Sequence, residues 1–215
     1  MKILSIEVEL LGHDSVKIKT DKIIYIDPFK IKPEEKADFI FVTHEHFDHC
    51  SSEDIKKLIK KDTVLVGIPS CKDSFDPFSE SVKEIIYMRP NEKKTIEGME
   101  IETVPAYNTN KFKEPGKPFH PKEDGKVGYI LNIQGKRIYH AGDTDVIDEM
   151  KSFGKIDIAF LPVSGTYVMT SEEAVKAVDL IKPQIAIPVH YNKIVGTRKD
   201  AEKFKSLAKC EVVVL

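Results

Sequence analysis

A continuous apolar run, Phe39, Ile40, Phe41 and Val42, leads directly into Thr43-His44-Glu45-His46-Phe47-Asp48-His49. Such a run suits a buried strand, so its end must present three imidazoles and the carboxylate of Asp48 at one place. In extended chain, residues two apart project to the same side, and His44 and His46 can therefore reach one cation. Asp48 and His49, where the chain is turning, can be aimed at a second. Imidazole nitrogens with one carboxylate suit zinc, and also iron, manganese or nickel, better than calcium or magnesium. The bland alternative is a solvated surface His cluster, and a buried strand feeding the cluster argues against it.

At 215 residues the chain has the length of one layered β-rich or α/β domain, and the reading is a single domain over 1–215. Its 33 basic and 35 acidic side chains nearly cancel, so no strong net field points to a nucleic-acid or membrane partner. The opening residues lack the long apolar core and small-residue cleavage site of a signal peptide, and no run reaches transmembrane length. Cys50, Cys71 and Cys210 are odd in number and irregularly spaced, which describes no disulfide framework and suits a reducing, cytoplasmic setting. Cys50 reads as a small buried neighbour of the cluster.

Along the chain, Ile6, Val8 and Leu10 alternate with Glu7 and Glu9, and strands at 16–19 and 22–26 complete a β-meander. Asp27-Pro28 ends it, since proline cannot continue a ladder. Strand 38–43 carries the cluster, and a helix capped by Ser51 or Ser52 runs through Lys60 with Ile55, Leu58 and Ile59 as its apolar stripe. A strand at 63–68 is followed by a loop or short helix over 69–83. Strands at 84–88, 95–96 and 99–104 precede a stretch from Pro105 to Gly125 rich in Pro, Lys, Asn and Gly, without clear periodicity. A loop of that length in a compact domain is usually functional or mobile. A hairpin follows (127–133 and 137–140), then Ala141-Gly142-Asp143-Thr144-Asp145 and a short helix with Val146, Ile147 and Met150. Strand 156–161 and an amphipathic helix from Thr170 ended by Lys182-Pro183 lead to strand 185–189, whose end carries His190. A helix over 197–207 and a strand over 211–215 close the chain. Strands first, helices interleaved later and polar ligands at strand ends fit two sheets packed face to face with helices outside.

On His-x-His-x-Asp-His at 44–49, Gly142-Asp143 after one strand and His190 after a later one, the chain resembles the metallo-β-lactamase superfamily. The resemblance covers most of the chain and implies an α+β fold, the four-layer αββα sandwich. Leu11-Gly12-His13-Asp14-Ser15, Ile26-Asp27-Pro28 and Tyr139-His140-Ala141-Gly142-Asp143-Thr144 further resemble the ascorbate-6-phosphate lactonase-like subgroup. By that resemblance His44 and His46 are ligands of a first metal, Asp48, His49 and His190 of a second, and Asp143 bridges both. Two zinc ions are implied, with manganese, iron or nickel as alternatives. A water acidified between the ions would be the nucleophile, with Asp48 and Asp143 in the catalytic set.

The chain departs from the family's pattern at one position. The segment that usually supplies a third histidine for the first metal reads Val104-Pro105-Ala106-Tyr107-Asn108. Asn108 is a weaker donor than imidazole, and His120, in Pro118-Phe119-His120-Pro121, is the histidine that the long loop can deliver instead. The alternative is an exposed His120 and a weak first site. His13 and Asp27 are read as groups that orient ligands from behind, and His140 as a core or supporting histidine. Tyr167 and Tyr191 are candidates to hydrogen-bond a substrate oxygen, with packing as the alternative. Diiron flavoprotein relatives have a carboxylate where this chain has His46, and no flavodoxin-like domain is present, which favours hydrolysis over electron transfer.

The expected activity is a metal-dependent hydrolase acting on a small ester or lactone, phosphorylated or not. Two alternatives stand beside it. A phosphodiesterase is favoured by Lys111, Lys113, Lys117 and Lys122 around the long loop, which leaves nucleic acid open as a partner. A non-catalytic metal-binding or sensing protein is suggested by Asn108. No membrane partner is expected, and a homo-oligomer is open.

Overall fold

Alternation of β-branched residues with lysine and glutamate produces an N-terminal meander in the structure, a computed structural model describing residues 1–32 and 35–215. Strands β1 (Lys2–Ile3), β2 (Ile6–Gly12), β3 (Ser15–Lys19) and β4 (Ile23–Ile26) pair antiparallel in sequence order. Beyond β4 the ladder turns parallel, through β5 (Phe39–Phe41), β6 (Val64–Gly67) and β7 (Glu84–Tyr87). The chain must cross over between parallel strands, and α1 (Ser52–Leu58) and the one-turn α2 (Lys72–Phe75) lie in those crossovers. Every residue of β5 is buried, because a central strand has neighbours on both edges and cover on both faces. Full burial of each ring of Phe39 and Phe41 contributes roughly 1.5–3 kcal/mol.

The second half repeats this construction. Antiparallel strands β8 (Lys93–Ile96), β9 (Met99–Pro105), β12 (Val127–Ile133) and β13 (Lys136–His140) are followed by parallel strands β14 (Ile158–Pro162), β15 (Ile185–Val189) and β16 (Glu211–Val212). Between β9 and β12 the long loop forms a small hairpin of its own, β10 (Phe112–Glu114) with β11 (Lys117–Pro118). The crossover helices are α3 (Ser171–Ile181) and α4 (Arg198–Leu207). Thr170 and Glu173 close a capping box at the start of α3, an arrangement whose cap is worth about 1 kcal/mol.

Beside the expectation of one domain over 1–215, contacts divide the chain into two compact units, Met1–Met88 and Arg89–Leu215. Each holds one seven-stranded mixed sheet. Three local expectations need correction. The helix expected around Val146, Ile147 and Met150 is a 3-10 turn over Asp148–Ser152, with Ile147 extended ahead of it. The final strand pairs only over Glu211–Val212, because β15 offers it just Ile185 and Ala186 as partners. The stretch from Pro105 to Gly125, expected as a long loop, contains the β10–β11 hairpin and a 3-10 turn at Lys122–Asp124. Among the described residues no helix is long and apolar enough to cross a membrane.

Candidate metal centre

In the first unit β5 ends at Phe41, and the backbone then closes a tight turn in which the His49 and Cys50 N–H groups both donate to the carbonyl of His46, at 3.0 and 2.8 Å. That turn gathers the imidazoles: the rings of His44 and His49 lie 4.1 Å apart and those of His44 and His46 4.6 Å. Ser51 then caps α1, so the motif is fastened to a strand at one end and a helix at the other. Ser70 donates to Glu45 at 3.0 Å, which commits that carboxylate to the neighbouring segment.

Asp27, fully buried at the end of β4, holds the cluster from behind. Its Oδ1 accepts from the Thr43 N–H at 2.8 Å, while Oδ2 accepts from the Thr43 hydroxyl at 2.6 Å and from His49 Nδ1 at 2.8 Å. Three donors converge on one carboxylate, and each restricts a different atom. Because Thr43 spends its only proton on Asp27, its oxygen must accept from His44 Nδ1, 3.0 Å away. Both His44 and His49 therefore carry their proton on Nδ1 and keep the lone pair on Nε2, the form that a metal bound at Nε2 requires. His13, also fully buried, places Nε2 3.1 Å from Asp48 Oδ2. The ligand-capable atoms of His13, Asp48 and His49 lie within 4.8 Å of one another, so His13 stands at donor distance as well as in a supporting position. His13 and Asp27 both have positive φ, 56° and 47°, a backbone conformation in which histidine and aspartate are enriched among non-glycine residues. Cys50 is buried against Cys71, whose thiol donates to it and holds the Cys50 thiol below its ordinary range.

In the second unit Asp143 follows β13 through the left-handed Gly142, φ 59°. Its two oxygens face different imidazoles: Oδ2 lies 3.2 Å from His120 Nε2 and Oδ1 3.3 Å from His190 Nε2. Neighbouring ligand atoms on a tetrahedral ion with metal–nitrogen bonds of about 2.0–2.1 Å stand roughly 3.3 Å apart, and these spacings match. The spacing of 3.1 Å between His44 Nε2 and His46 Nδ1 in the first unit agrees as well. A mixed imidazole and carboxylate donor set at such distances fits zinc or a similar transition metal and not calcium. His190, at the end of β15 with φ 60°, is fastened through Nδ1 to Ser164 Oγ at 3.0 Å.

The long loop brings His120 inward to 1% exposure instead of leaving it in solvent. Asp145, fully buried, accepts from the backbone N–H groups of Thr109 and Asn110 at 2.8 and 2.9 Å. Lys111 bridges Asp145 and Glu173, at 3.5 and 2.7 Å. At the far end of the loop Lys122 pairs with Glu149, which also accepts from the Tyr107 hydroxyl at 2.9 Å. For Glu173, burial raises the pKa, but hydrogen bonds from Lys111, the Thr170 N–H and Asn110 outweigh it and bring it to about 2.

Some expected site residues are placed differently. Tyr191 is buried and its hydroxyl donates to the Leu215 carbonyl at 3.2 Å, so it packs the chain end and is not available to a substrate. Tyr167 is half-buried, with its ring edge-on to Phe119 and its carbonyl accepting from Asn108. His140, by contrast, is where it was expected as a core or supporting histidine: it is fully buried, accepts from the Gly142 N–H at 3.3 Å and lies against Phe160. Sequence reasoning passed over Thr43 and Ser164. Thr43 sits one residue before His44 and was open to inspection, whereas nothing local marks Ser164 as the partner of His190.

Comparison with known proteins extends over the same elements. A family profile described as a beta-lactamase superfamily domain matches residues 7–190, which covers both constellations. A UPF0173 metal-dependent hydrolase of Thermococcus kodakarensis is 36% identical over 98% of this chain and 96% of its own length. One of Thermoplasma acidophilum is 36% identical over 92% and 88%. Among solved structures, a chain from Parabacteroides distasonis proposed to be a metal-dependent hydrolase superposes with a TM-score of 0.82 at 32% identity, covering 100% of this chain and 96% of that one. The metallo hydrolase Igni18 of Ignicoccus hospitalis shares the fold, with a TM-score of 0.76 at 23% identity over 98% and 94%. None of these relatives brings the expected lactonase subgroup with it. Matched by the family profile over residues 7–190 and by relatives along nearly its whole length, the chain belongs to the metallo-β-lactamase superfamily and, within it, to the UPF0173 metal-dependent hydrolases.

Proposed function

We propose that this hydrolase cleaves a small ester or lactone at a dinuclear zinc centre. His44, His46, His120 and Asp143 would hold one ion, and Asp48, His49, Asp143 and His190 the other. The observation that carries this reading is Asp143, whose two oxygens face two different imidazoles at 3.2 and 3.3 Å, the arrangement a bridging carboxylate needs. When bound, the ions supply Lewis acidity, lowering the pKa of water and stabilising charge that develops on the substrate oxygen. The chain's own residues prepare the donors. Asp27 fixes the tautomers of His44 and His49, Ser164 steadies His190, and Asp48 is fastened by His13.

A small substrate is favoured over a phosphodiester because the loop lysines are largely neutralised. Lys111 pairs with Asp145 and Glu173, Lys117 with Glu114, and Lys122 with Glu149, so little positive field remains to attract a polyanion. Three free cysteines support a reducing, cytoplasmic location.

The test is zinc reconstitution of the purified chain with metal counting by mass spectrometry, followed by panels of aryl esters, lactones and phosphodiesters. Two ions per chain, with ester or lactone turnover exceeding phosphodiester turnover, is the expected result. Dominant phosphodiester cleavage would overturn the substrate class, and bound metal without turnover would make the protein a binding module.

A further inference from the structure

We propose that Asn108 is a positioning residue that selects the metal-binding tautomer of His120. The inference rests on the reading of His120 as a ligand and deepens it by naming what makes the loop histidine competent. Asn108 stands only three residues beyond β9, whereas His120 comes after the excursion through β10 and β11. Their side chains nevertheless meet, and both are nearly excluded from solvent, at 6% and 1% exposure.

The direction of each hydrogen bond follows from donor chemistry. The backbone N–H of His120 can only donate, and it points at Asn108 Oδ1 from 2.8 Å. At the other end of the amide, Nδ2 donates to the Tyr167 carbonyl at 2.9 Å, which prevents the amide from being turned over. The oxygen therefore faces His120. His120 Nδ1 lies 3.0 Å from that same oxygen, so it must carry the proton. A neutral imidazole has one N–H, and Nε2 keeps its lone pair where it faces Asp143 Oδ2 at 3.2 Å. The backbone bond from the Asn108 N–H to the His120 carbonyl, at 2.8 Å, completes a two-sided clasp. Asn108 thus does not compete with the imidazole for the metal. It fixes which nitrogen is offered and in what direction, the role that carboxylates and carbonyls usually take behind a metal-bound histidine.

The alternative is that Asn108 only anchors the loop through Tyr167. Two variants separate the roles. Asn108→Leu is close in size and lacks the acceptor. Asn108→Asp keeps the acceptor and loses the donor to Tyr167. The readouts are the His120 tautomer in the metal-free protein, from nitrogen-15 chemical shifts, and cobalt affinity by chelator competition. Tautomer selection predicts that Asn108→Asp retains the Nδ1–H form and cobalt affinity within about threefold, while Asn108→Leu mixes tautomers and loses roughly 10–100-fold in affinity. If Asn108→Leu does not fold, Asn108→Asp decides alone: loss of the Nδ1–H form, or an affinity loss beyond tenfold, overturns the proposal. So does an Asn108→Leu protein that folds and binds as the wild type. His120→Ala distinguishes the underlying reading. If it keeps both ions at wild-type affinity, His120 is not a ligand. If it loses one while Asn108→Leu loses none, only the positioning role fails.

Discussion

Asp27 Oδ2 accepts a hydrogen bond from His49 Nδ1 at 2.8 Å and, through the same oxygen, one from the Thr43 hydroxyl at 2.6 Å. A single carboxylate at the end of β4 thereby orients His49 directly and His44 through one intervening residue. In the proposed centre these histidines serve different ions.

Asp27→Asn is accordingly predicted to weaken binding of both ions, by roughly 10–100-fold each, the usual cost of removing a group that orients metal ligands. Asparagine is the informative substitution because it tolerates the left-handed φ of 47° found there, so backbone strain does not confuse the result. Cobalt titrations followed by absorption should show both affinities reduced. A loss confined to one ion would break the inferred relay through Thr43.

Gly128 in β12 leaves no room for a side chain. A Cβ there would stand 2.8 Å from the His140 carbonyl and 2.9 Å from that of Ala141, both backbone atoms just ahead of Asp143. Gly128→Ala should cost about 1–3 kcal/mol of stability, as overpacking generally does. It should also weaken metal binding by displacing the Asp143 turn. Denaturant unfolding monitored by circular dichroism gives the first number, and an unchanged midpoint would contradict the close approach.

The depressed pKa of Glu173, about 2, has a defined sign in the acid limb of stability. A carboxylate held below its ordinary value of ~4.3 contributes stability that is present above that value and fades as pH falls toward the folded pKa. Glu173→Gln should therefore remove stability at neutral pH and flatten the dependence between about pH 4.3 and 2. Unfolding midpoints measured across that window check it. Parallel curves for variant and wild type would show that the ion pair with Lys111 contributes nothing to folding.

Phe47 is exposed to 70% between two proposed ligands and touches Phe29 only edge-on, with ring centres 5.7 Å apart. Truncation to alanine should change stability by no more than ~0.5 kcal/mol, as for most surface positions. An apolar ring left in water beside ligand-bearing residues is suited to an apolar portion of the substrate. Phe47→Ala should lower kcat/KM for long-chain or aryl esters by about tenfold and leave acetyl esters little affected, in line with the 1–3 kcal/mol available to small apolar contacts. Equal losses on both substrate types would remove Phe47 from substrate selection.

Much of this protein is local and was therefore legible in its sequence. Phe39–Phe41 reads as a buried strand because nothing else accommodates that run, and His44 to His49 must follow at its end. The Thr170 and Glu173 capping box is likewise a pattern within four residues, and it starts α3 where expected. What tertiary structure decided are the relations across long stretches of chain. Asp27 meets His49 22 residues later, and His190 meets Ser164 26 residues earlier, pairings that sequence distance does not encode. The loop from Pro105 to Gly125 lacks periodicity because it is held by polar contacts to Asp145, Glu173 and Glu149 instead of by an apolar stripe. Hydrophobic patterning specifies which strands and helices form. Hydrogen bonds between buried side chains exist only once those elements have packed, and they determine which nitrogen of each histidine is presented to the metal.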